Sequence, residues 1–499
     1  MKVPRILKTS GALFVGQGII VSTQLLLPPL FLRSYGVTAF GEWITLTAAV
    51  SYLGTLNFGL QTFANNHVGI HYTRGDLQEV KSLQATAFVL LLSIVAAAAI
   101  LTLLILLLPV SSGLKLQLSS RTSSLIVYLL GLQVLTKMIF GFLAGSFLAV
   151  GVSYRGTNWS NAQAAGSLLG TAFLALTGAS FAAIAALQLG SALLFTILVA
   201  IDLRFKAAPV FPDLSQIRLA RIKDILRPSG YFAMLFSSNF LVYQLPVIVM
   251  QRFLGPQKVV AFSLIRTIYS MSRQALNSIS FAIGPEIVEL YGERDWPKLL
   301  RLYDLSERVI FALVPVVSVG TFLATPILFT VWVHTPKLYD IHICIYMALI
   351  SAVMGTKEHK YQFQTSANEH AEMARFWFGS YVAMVLLSVP MIHRFGISGF
   401  LALWLTTEVI QVVYVLRLNR RFFEHAAQLN LNPVYRLGTL LVGAMAGCAW
   451  LAFASSTRSL FETAALTIIG ITVLGAIAYF LFKLNEMSAT VFARLLRRA

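Results

Sequence analysis

Charged residues are scarce in this 499-residue chain, and acidic residues are the scarcest. Only 12% of the residues are Asp, Glu, Lys or Arg, whereas 57% are hydrophobic. A soluble globular domain is usually about 25% charged and about 45–50% apolar, because polar side chains must coat its surface. With half that charge, the chain has too little polar surface for a water-soluble body. The composition therefore predicts a protein embedded in a membrane.

Cysteines and nucleotide-binding motifs are also nearly absent. The two cysteines, Cys344 and Cys448, both fall in apolar runs and form no CxxC pair, which excludes a disulfide framework and a cysteine metal site. His67 and His71 have the i, i+4 spacing of metal ligands on a helix, but no third ligand is close in sequence. A Walker A motif for ATP hydrolysis is missing as well. We therefore predict no metal, no cofactor and no catalytic residues.

Long apolar runs follow one another along the chain. A run of roughly 20 residues spans a hydrocarbon core of about 30 Å at 1.5 Å per residue. About fourteen such runs are separated by charged residues, glycine and proline, near residues 11–32, 43–64, 83–108, 123–148, 160–178, 181–202, 229–251, 259–283, 308–331, 342–363, 376–393, 397–418, 437–454 and 463–482. The sequence therefore predicts an all-α integral membrane protein with about 14 transmembrane helices.

The basic residues lie mostly in alternate loops. Of the 38 Lys and Arg residues, most fall on segments that face the cytoplasm if the N-terminus does. This bias predicts a multi-pass protein of the inner (cytoplasmic) membrane with both termini in the cytoplasm. It also accounts for the net charge of +18 without nucleic acid, which we exclude as a partner. In the longest inner loop, the amphipathic stretch 214–226 predicts a short helix on the membrane surface.

Two loop motifs recur at nearly the same offset, which is the pattern of an internal repeat. The repeated positions are Arg33 to Gly36 with Arg252 to Gly255, 219 residues apart, and Gly178 with Gly396, 218 residues apart. Chance recurrence of Gly and Arg in loops is the alternative. The repeat predicts two pseudo-symmetric six-helix lobes, an N-lobe at 1–204 and a C-lobe at 229–420. A cytoplasmic amphipathic linker at 205–228 joins them, and two more helices with a basic tail follow at 421–499.

Short motifs in both predicted lobes resemble those of a known transporter family. They are Tyr35-Gly-Val-Thr-Ala-Phe-Gly41 and Leu56-Asn-Phe-Gly-Leu60 near the start, then Leu254-Gly-Pro256 and Phe395-Gly-Ile-Ser-Gly399. The chain resembles the polysaccharide-export and O-antigen flippases of the multidrug/oligosaccharidyl-lipid/polysaccharide (MOP) exporter superfamily. That family usually has Asp-x-Gly where this chain has Asn57-Phe-Gly59, a departure that removes a charge. The resemblance implies two six-helix bundles around a central cavity that opens to alternate sides.

Three basic residues lie at membrane depth: Lys137 in the fourth span, and Arg266 and Arg273 in the eighth. An ionisable residue near the bilayer centre costs about 2.5–3.5 kcal/mol on insertion scales, so it usually faces a cavity and serves function. Acids are rare there, with Glu408 and Glu358 as the main ones. An anionic pyrophosphate would complete this mostly cationic charge, since Arg offers forked donors to phosphate oxygens. Structural pairing with carbonyls or a buried carboxylate is the alternative.

Other charged residues lie near the predicted ends of spans. Lys357 and His359 belong to a dense charged cluster at the end of the tenth span, and we interpret them as an inner gate or first contact for the head group. Anchoring by the positive-inside rule explains them equally well. Further possible loop or gate contacts are Arg33, Arg252, Arg155 and Glu408.

Together these features predict a transporter rather than an enzyme. The predicted function is a flippase that moves a polyprenyl-pyrophosphate-linked oligosaccharide, an O-antigen or other surface polysaccharide unit, to the outer membrane face by alternating access. Its partners would be that lipid-linked sugar, membrane lipid and a polysaccharide polymerase. The alternatives are a lipid II flippase, a cation-coupled multidrug exporter, and a membrane enzyme acting on lipid-linked sugar. The enzyme would need a positioned acid or base, usually on a sizeable outer loop, and the outer loops here are short.

Overall fold

The computed structural model describes residues 3–423, with gaps at 58–59, 219–221 and 368. This part of the chain is helical throughout and contains no β-strand. The predicted spans 437–454 and 463–482, together with Cys448, lie outside the described residues. The all-α membrane fold predicted from composition is therefore confirmed for the part that can be examined.

Fourteen α-helices occur in the described chain. They are α1 Val3–Val50, α2 Leu60–Thr73, α3 Leu77–Leu103, α4 Val110–Leu114, α5 Ser120–Ala149, α6 Ser153–Leu176, α7 Phe181–Lys206, α8 Ile222–Tyr243, α9 Leu245–Leu254, α10 Pro256–Ala282, α11 Gly284–Gly292, α12 Trp296–Leu328, α13 Ile341–Ser366 and α14 Ala371–Phe422. A 3₁₀ segment, Ser51–Asn57, joins α1 to α2, so the second predicted span is broken near its middle.

Eight helical segments of the described residues are long and apolar enough to cross a membrane. Two of them, Lys8–Asn57 and Ala371–Phe422, each contain two predicted spans, because each bends sharply at a glycine. The predicted spans 160–178 and 259–283 fall on α6 and α10, which have 24 and 27 residues and are long enough to cross despite their higher polarity. The chain is thus a multi-pass membrane protein.

The glycines of the proposed repeat share their backbone conformations. Gly36 has φ 78° and ψ 174°, and Gly255 has φ 82° and ψ 175°. The second pair, Gly178 and Gly396, has φ 69° and 61°. L-residues with a side chain rarely adopt such positive φ values, so each motif places a glycine where the chain turns. This agreement favours a true repeat over chance, while the boundaries of the lobes stay a prediction.

The chain forms two compact units, Met1–Val260 and Ala261–Ala499. The first unit has a hydrophobic core between α2, α3, α5 and α7 that includes Leu91, Phe142 and Val199. At one end of this unit the Tyr35 hydroxyl donates to the Ala179 carbonyl at 2.7 Å, which brings the two turns at Gly36 and Gly178 together.

The second unit packs α13 against α10, α12 and α14. One apolar cluster contains Leu276, Val314 and Ala352, and another contains Tyr303 and Phe363. Because α13 has neighbours on several sides, side chains all around it are buried.

The predicted surface helix at 214–226 is wrong. Leu214–Gln216 is a 3₁₀ turn, Ile217 is extended, and Ile222 already begins α8. The segment packs against α3 instead, since the Arg218 backbone N–H donates to the Thr86 hydroxyl at 3.0 Å. Hydrogen bonds from the backbone of this segment to α3 compete with the formation of an isolated short helix, because such a helix is only marginally stable in water.

Candidate substrate and counter-ion sites

Lys137 lies in the middle of helix α5. It is about 26 Å from Ser120 and about 18 Å from Ala149 along the helix axis. Its side chain is exposed, although the neighbouring Met138 is buried. Within the described residues its amine has no hydrogen-bond or ion-pair partner. An exposed, unpaired ammonium at this depth needs water or an anion beside it, because lipid would oppose its charge.

Helix α2 and the 3₁₀ segment run along the face of α5 that carries Lys137. A Cβ added at Gly54 would meet Val134 at 3.9 Å, and one added at Gly141 would meet Gln61 at 3.1 Å. The Gln61 amide also donates to the Met138 carbonyl at 2.7 Å. The offsets of these contacts, 77 to 80 residues, are those of two parallel neighbouring segments.

An offset of 80 residues leads us to expect Asn57 near Lys137. The Oδ1 atom of Asn57 is buried and has no hydrogen-bond partner in the described structure. In the family that the chain resembles, this position usually carries an aspartate, which would be a partner for a neighbouring ammonium. The neutral amide therefore leaves the charge of Lys137 available.

Helix α10 carries the other two predicted cations, and both are partly buried. Arg273 forms an ion pair with Glu358 of α13, and both side chains are largely buried. The guanidinium of Arg266 lies over the Phe262 ring, 5.2 Å from its centre. The expectation that Arg273 presents unpaired charge is thus wrong, since the alternative of a buried carboxylate partner holds.

Lys357 is buried in a polar network between α13 and α14. Its ammonium contacts the Glu408 carboxylate, the Gln411 amide oxygen at 2.7 Å and the Tyr381 hydroxyl at 3.0 Å. It also lies over the Trp377 ring, 4.6 Å from its centre. Glu408, which we predicted as a gate contact, is fully buried and is the acceptor at the centre of this network.

The residues after Lys357 are also buried and paired. His359 shares a 2.8 Å hydrogen bond with the Ser306 hydroxyl, and Lys360 forms an ion pair with Glu307. Lys357 and His359 therefore do not face an open path in this structure, and a part for them in gating stays a prediction. Interfacial snorkelling does not describe them either, because their charged ends are enclosed by protein.

The predicted loop contacts fall into two groups. Arg33 is exposed and Arg252 is partly buried in the last turn of α9. Arg155 makes two hydrogen bonds to Asp202, at 2.6 and 3.2 Å, and the Trp159 indole donates to the same carboxylate at 2.9 Å. Arg155 thus joins α6 to α7.

Sequence reasoning missed Tyr381, Gln411, Glu307 and Lys360 as members of charged networks. The sequence did contain one signal for them. Residues 357–360 are four consecutive ionisable side chains, and successive side chains on a helix point in directions about 100° apart. In an apolar span, such a run predicts a helix that finds polar partners on all sides.

Comparisons with known proteins support the fold. No protein-family model and no curated protein matches the chain. Among solved structures, the lipid II flippase MurJ in an inward closed conformation matches with a TM-score of 0.69 and 10% identity, covering 97% of this chain and 100% of that chain. An outward-facing MATE-family multidrug transporter of the MOP superfamily matches with a TM-score of 0.64 and 13% identity, covering 85% and 96%. An inward-facing MATE-family transporter matches with a TM-score of 0.60 and 15% identity, covering 83% of this chain and 94% of that chain.

The chain therefore has the fold of the MOP-superfamily transporters. These neighbours are described as a lipid II flippase and multidrug transporters. At such low identity the likeness establishes the fold, and the substrate must be argued from this chain's own residues.

Proposed function

We propose that the chain is a flippase for a polyprenyl-pyrophosphate-linked oligosaccharide. It would act in the inner membrane, with both termini in the cytoplasm, and move the head group to the outer face by alternating access. An O-antigen or other surface polysaccharide unit would be the cargo, a polysaccharide polymerase would receive it, and the polyprenyl tail would stay in lipid.

The observation that carries this proposal is the Lys137 ammonium, which has no hydrogen-bond or ion-pair partner among the described residues. It lies mid-helix and is exposed, and the neutral Asn57 at the end of the 3₁₀ segment is expected to lie near it. A charged hydrogen bond to a phosphate oxygen contributes about 1.5–3 kcal/mol, more than a neutral hydroxyl contact would. An anionic head group with sugar attached therefore fits this position better than a cationic drug does. Arg266 of the second unit stays a proposed head-group contact, whereas Arg273 is paired with Glu358.

The acids at membrane depth in the second unit weigh against a cation-coupled multidrug exporter. Glu307, Glu358 and Glu408 each hold a Lys or Arg, so none offers a free carboxylate to a coupling ion. A membrane enzyme is disfavoured because the solved neighbours are transporters. The runner-up is a lipid II flippase, because the MurJ structure matches over 97% of the chain. Both substrates are pyrophosphate-linked lipids, so Lys137 would serve either.

The test is to substitute Lys137 and measure flipping in proteoliposomes with a labelled polyprenyl-pyrophosphate oligosaccharide. We expect Lys137→Met to reduce the rate by about 10- to 150-fold, which is the loss of one charged hydrogen bond. Lys137→Arg should retain part of the activity. Lys115→Met is a matched control, because Lys115 is exposed in the turn before α5.

Wild-type flipping by Lys137→Met, at equal protein level, would contradict the proposal. Offering lipid II in parallel decides between the two lipid substrates. In cells, depletion of the protein should leave the lipid-linked oligosaccharide on the cytoplasmic face.

A further inference from the structure

The Lys357 ammonium is surrounded by oxygen atoms from a single helix. Its nitrogen contacts Glu408 Oε2, Gln411 Oε1 at 2.7 Å and Tyr381 Oη at 3.0 Å, and all three ligands belong to α14. An ammonium has three donors and no acceptor, so three oxygens satisfy it completely. The ring of Trp377 covers a further side.

Each of these three side chains is oriented by a second contact. The Gln411 amide nitrogen donates to the Ser380 hydroxyl at 2.7 Å, which turns its oxygen toward Lys357. The Tyr381 hydroxyl donates to Glu408 Oε1 at 2.7 Å, so its lone pairs face the ammonium. The Trp404 indole donates to the same Glu408 oxygen at 3.0 Å. The oxygens are thus held in place independently of the lysine.

A carboxylate, an amide oxygen and a hydroxyl are the ligand types that bind small hard cations. The cluster also joins the two halves of α14, because Tyr381 precedes the bend at Gly396 and Glu408 and Gln411 follow it. A cation at its centre therefore holds both halves of α14 to α13.

Lys360, three residues further along α13, provides a contrast. It is equally buried and forms an ion pair with Glu307, but no other oxygen of the described residues contacts its ammonium. Rings of Tyr303 and Phe311 lie over it instead, at 5.6 and 4.9 Å. Oxygen ligation on three sides is thus particular to Lys357 among these two lysines, and does not follow merely from burial of an ion pair.

We propose that Lys357 is a tethered cation that permanently occupies a binding cage for a monovalent cation, formed by Glu408, Gln411 and Tyr381. The side chain supplies the charge that a bound Na⁺, K⁺ or NH₄⁺ would otherwise supply. It follows that the second unit needs no inorganic cation at this position. This inference does not depend on the identity of the transported lipid.

The experiment empties the cage and offers it free cations. In purified Lys357→Ala, removal of the side chain leaves room for a small cation, so NH₄⁺, methylammonium or Na⁺ should raise the unfolding temperature relative to N-methyl-D-glucamine. The expected rise is about 2–4 °C for a cation at about five times its Kd. Adding Glu408→Gln should abolish the rise, since the charged ligand is gone. Lys360→Ala is the matched control and should show a clearly smaller effect.

Two results would overturn the proposal. One is a Lys357→Ala protein that gains no more from these cations than Lys360→Ala does. The other is a result for the wild-type protein, which can be measured even if the variant fails to fold. Wild-type stability and transport should be unchanged when Na⁺ and K⁺ are replaced by N-methyl-D-glucamine. A cation dependence of the wild type that Glu408→Gln removes would show that the cage binds a free ion.

Discussion

Replacing Asn57 with aspartate should inhibit the proposed transport by giving Lys137 an internal partner. Gln61 lies opposite Gly141, so we expect position 57, four residues earlier, to lie near Lys137, also four residues earlier. The buried Asn57 Oδ1 has no hydrogen-bond partner, so a carboxylate oxygen there would turn to the nearest ammonium. Substrate phosphate would then have to displace it.

The size of the effect follows from the charges. Two unit charges about 4 Å apart interact with about 4 kcal/mol at an effective dielectric constant of about 20. Desolvation of both groups offsets part of this, so we take about 1.5–3 kcal/mol as the net competition. That range corresponds to about 10- to 150-fold weaker binding of a pyrophosphate lipid. Asn57→Leu lacks the charge and should weaken binding much less.

The assay is equilibrium binding of the labelled pyrophosphate lipid to purified protein, followed by its flipping rate in proteoliposomes. Asn65→Asp is the matched control, because Asn65 lies on the following helix, α2, opposite Gly145, and its Oδ1 is also buried without a partner among the described residues. If Asn57→Asp and Asn65→Asp behave alike, or if Asn57→Asp binds as the wild type does, the pairing of position 57 with Lys137 is refuted.

Two further predictions concern the stability of the second unit. Lys360→Met should lower the free energy of unfolding by about 3–5 kcal/mol, because it leaves the buried Glu307 carboxylate unpaired. The double variant with Glu307→Gln should recover most of that loss. Thermal unfolding in detergent measures both variants, and equal losses in the single and double variants would contradict the pairing. Gly396→Ala should lower the free energy of unfolding by about 1–3 kcal/mol, because Gly396 has φ 61° and ψ −148°. Gly379→Ala in the same helix should be neutral or stabilising, because a Cβ added there meets nothing within 4 Å. Similar unfolding temperatures for the two variants would rule out strain at Gly396.

The helices and turning points of this protein could be predicted from its sequence, because their physical causes are local. The spans are predicted by apolar runs that are longer than the helices of soluble proteins require. The glycines at the repeated offsets lie where the backbone turns with positive φ. Hydropathy alone does not show where a helix is interrupted. The 3₁₀ break at Ser51–Asn57 interrupts a span that reads as continuous by hydropathy, although Gly54 and Asn57 are poor helix formers.

The ion pairs could not be predicted, because they depend on which helix faces meet. Glu307 shows how the error arose. The apolar run of the ninth span begins at residue 308, but α12 begins at Trp296 and carries Glu307 into the packed part of the helix beside Lys360. An acid that hydropathy assigns to a loop is therefore a buried partner, and the apparent excess of cations in the second unit is smaller than the span boundaries suggest.

The charge distribution bears on what drives transport. In the described part of the second unit, Arg273, Lys357 and Lys360 are each matched by a buried carboxylate. An inside-negative membrane potential acts on each transported charge with about 2.3 kcal/mol per 100 mV, and it favours outward movement of an anion. A carrier of a pyrophosphate head group therefore needs no coupling cation to export its cargo, whereas export of a cationic drug runs against the same field and needs one. In the second unit Glu307, Glu358 and Glu408 are each paired with one of the protein's own cations, which the first kind of carrier can tolerate and the second cannot.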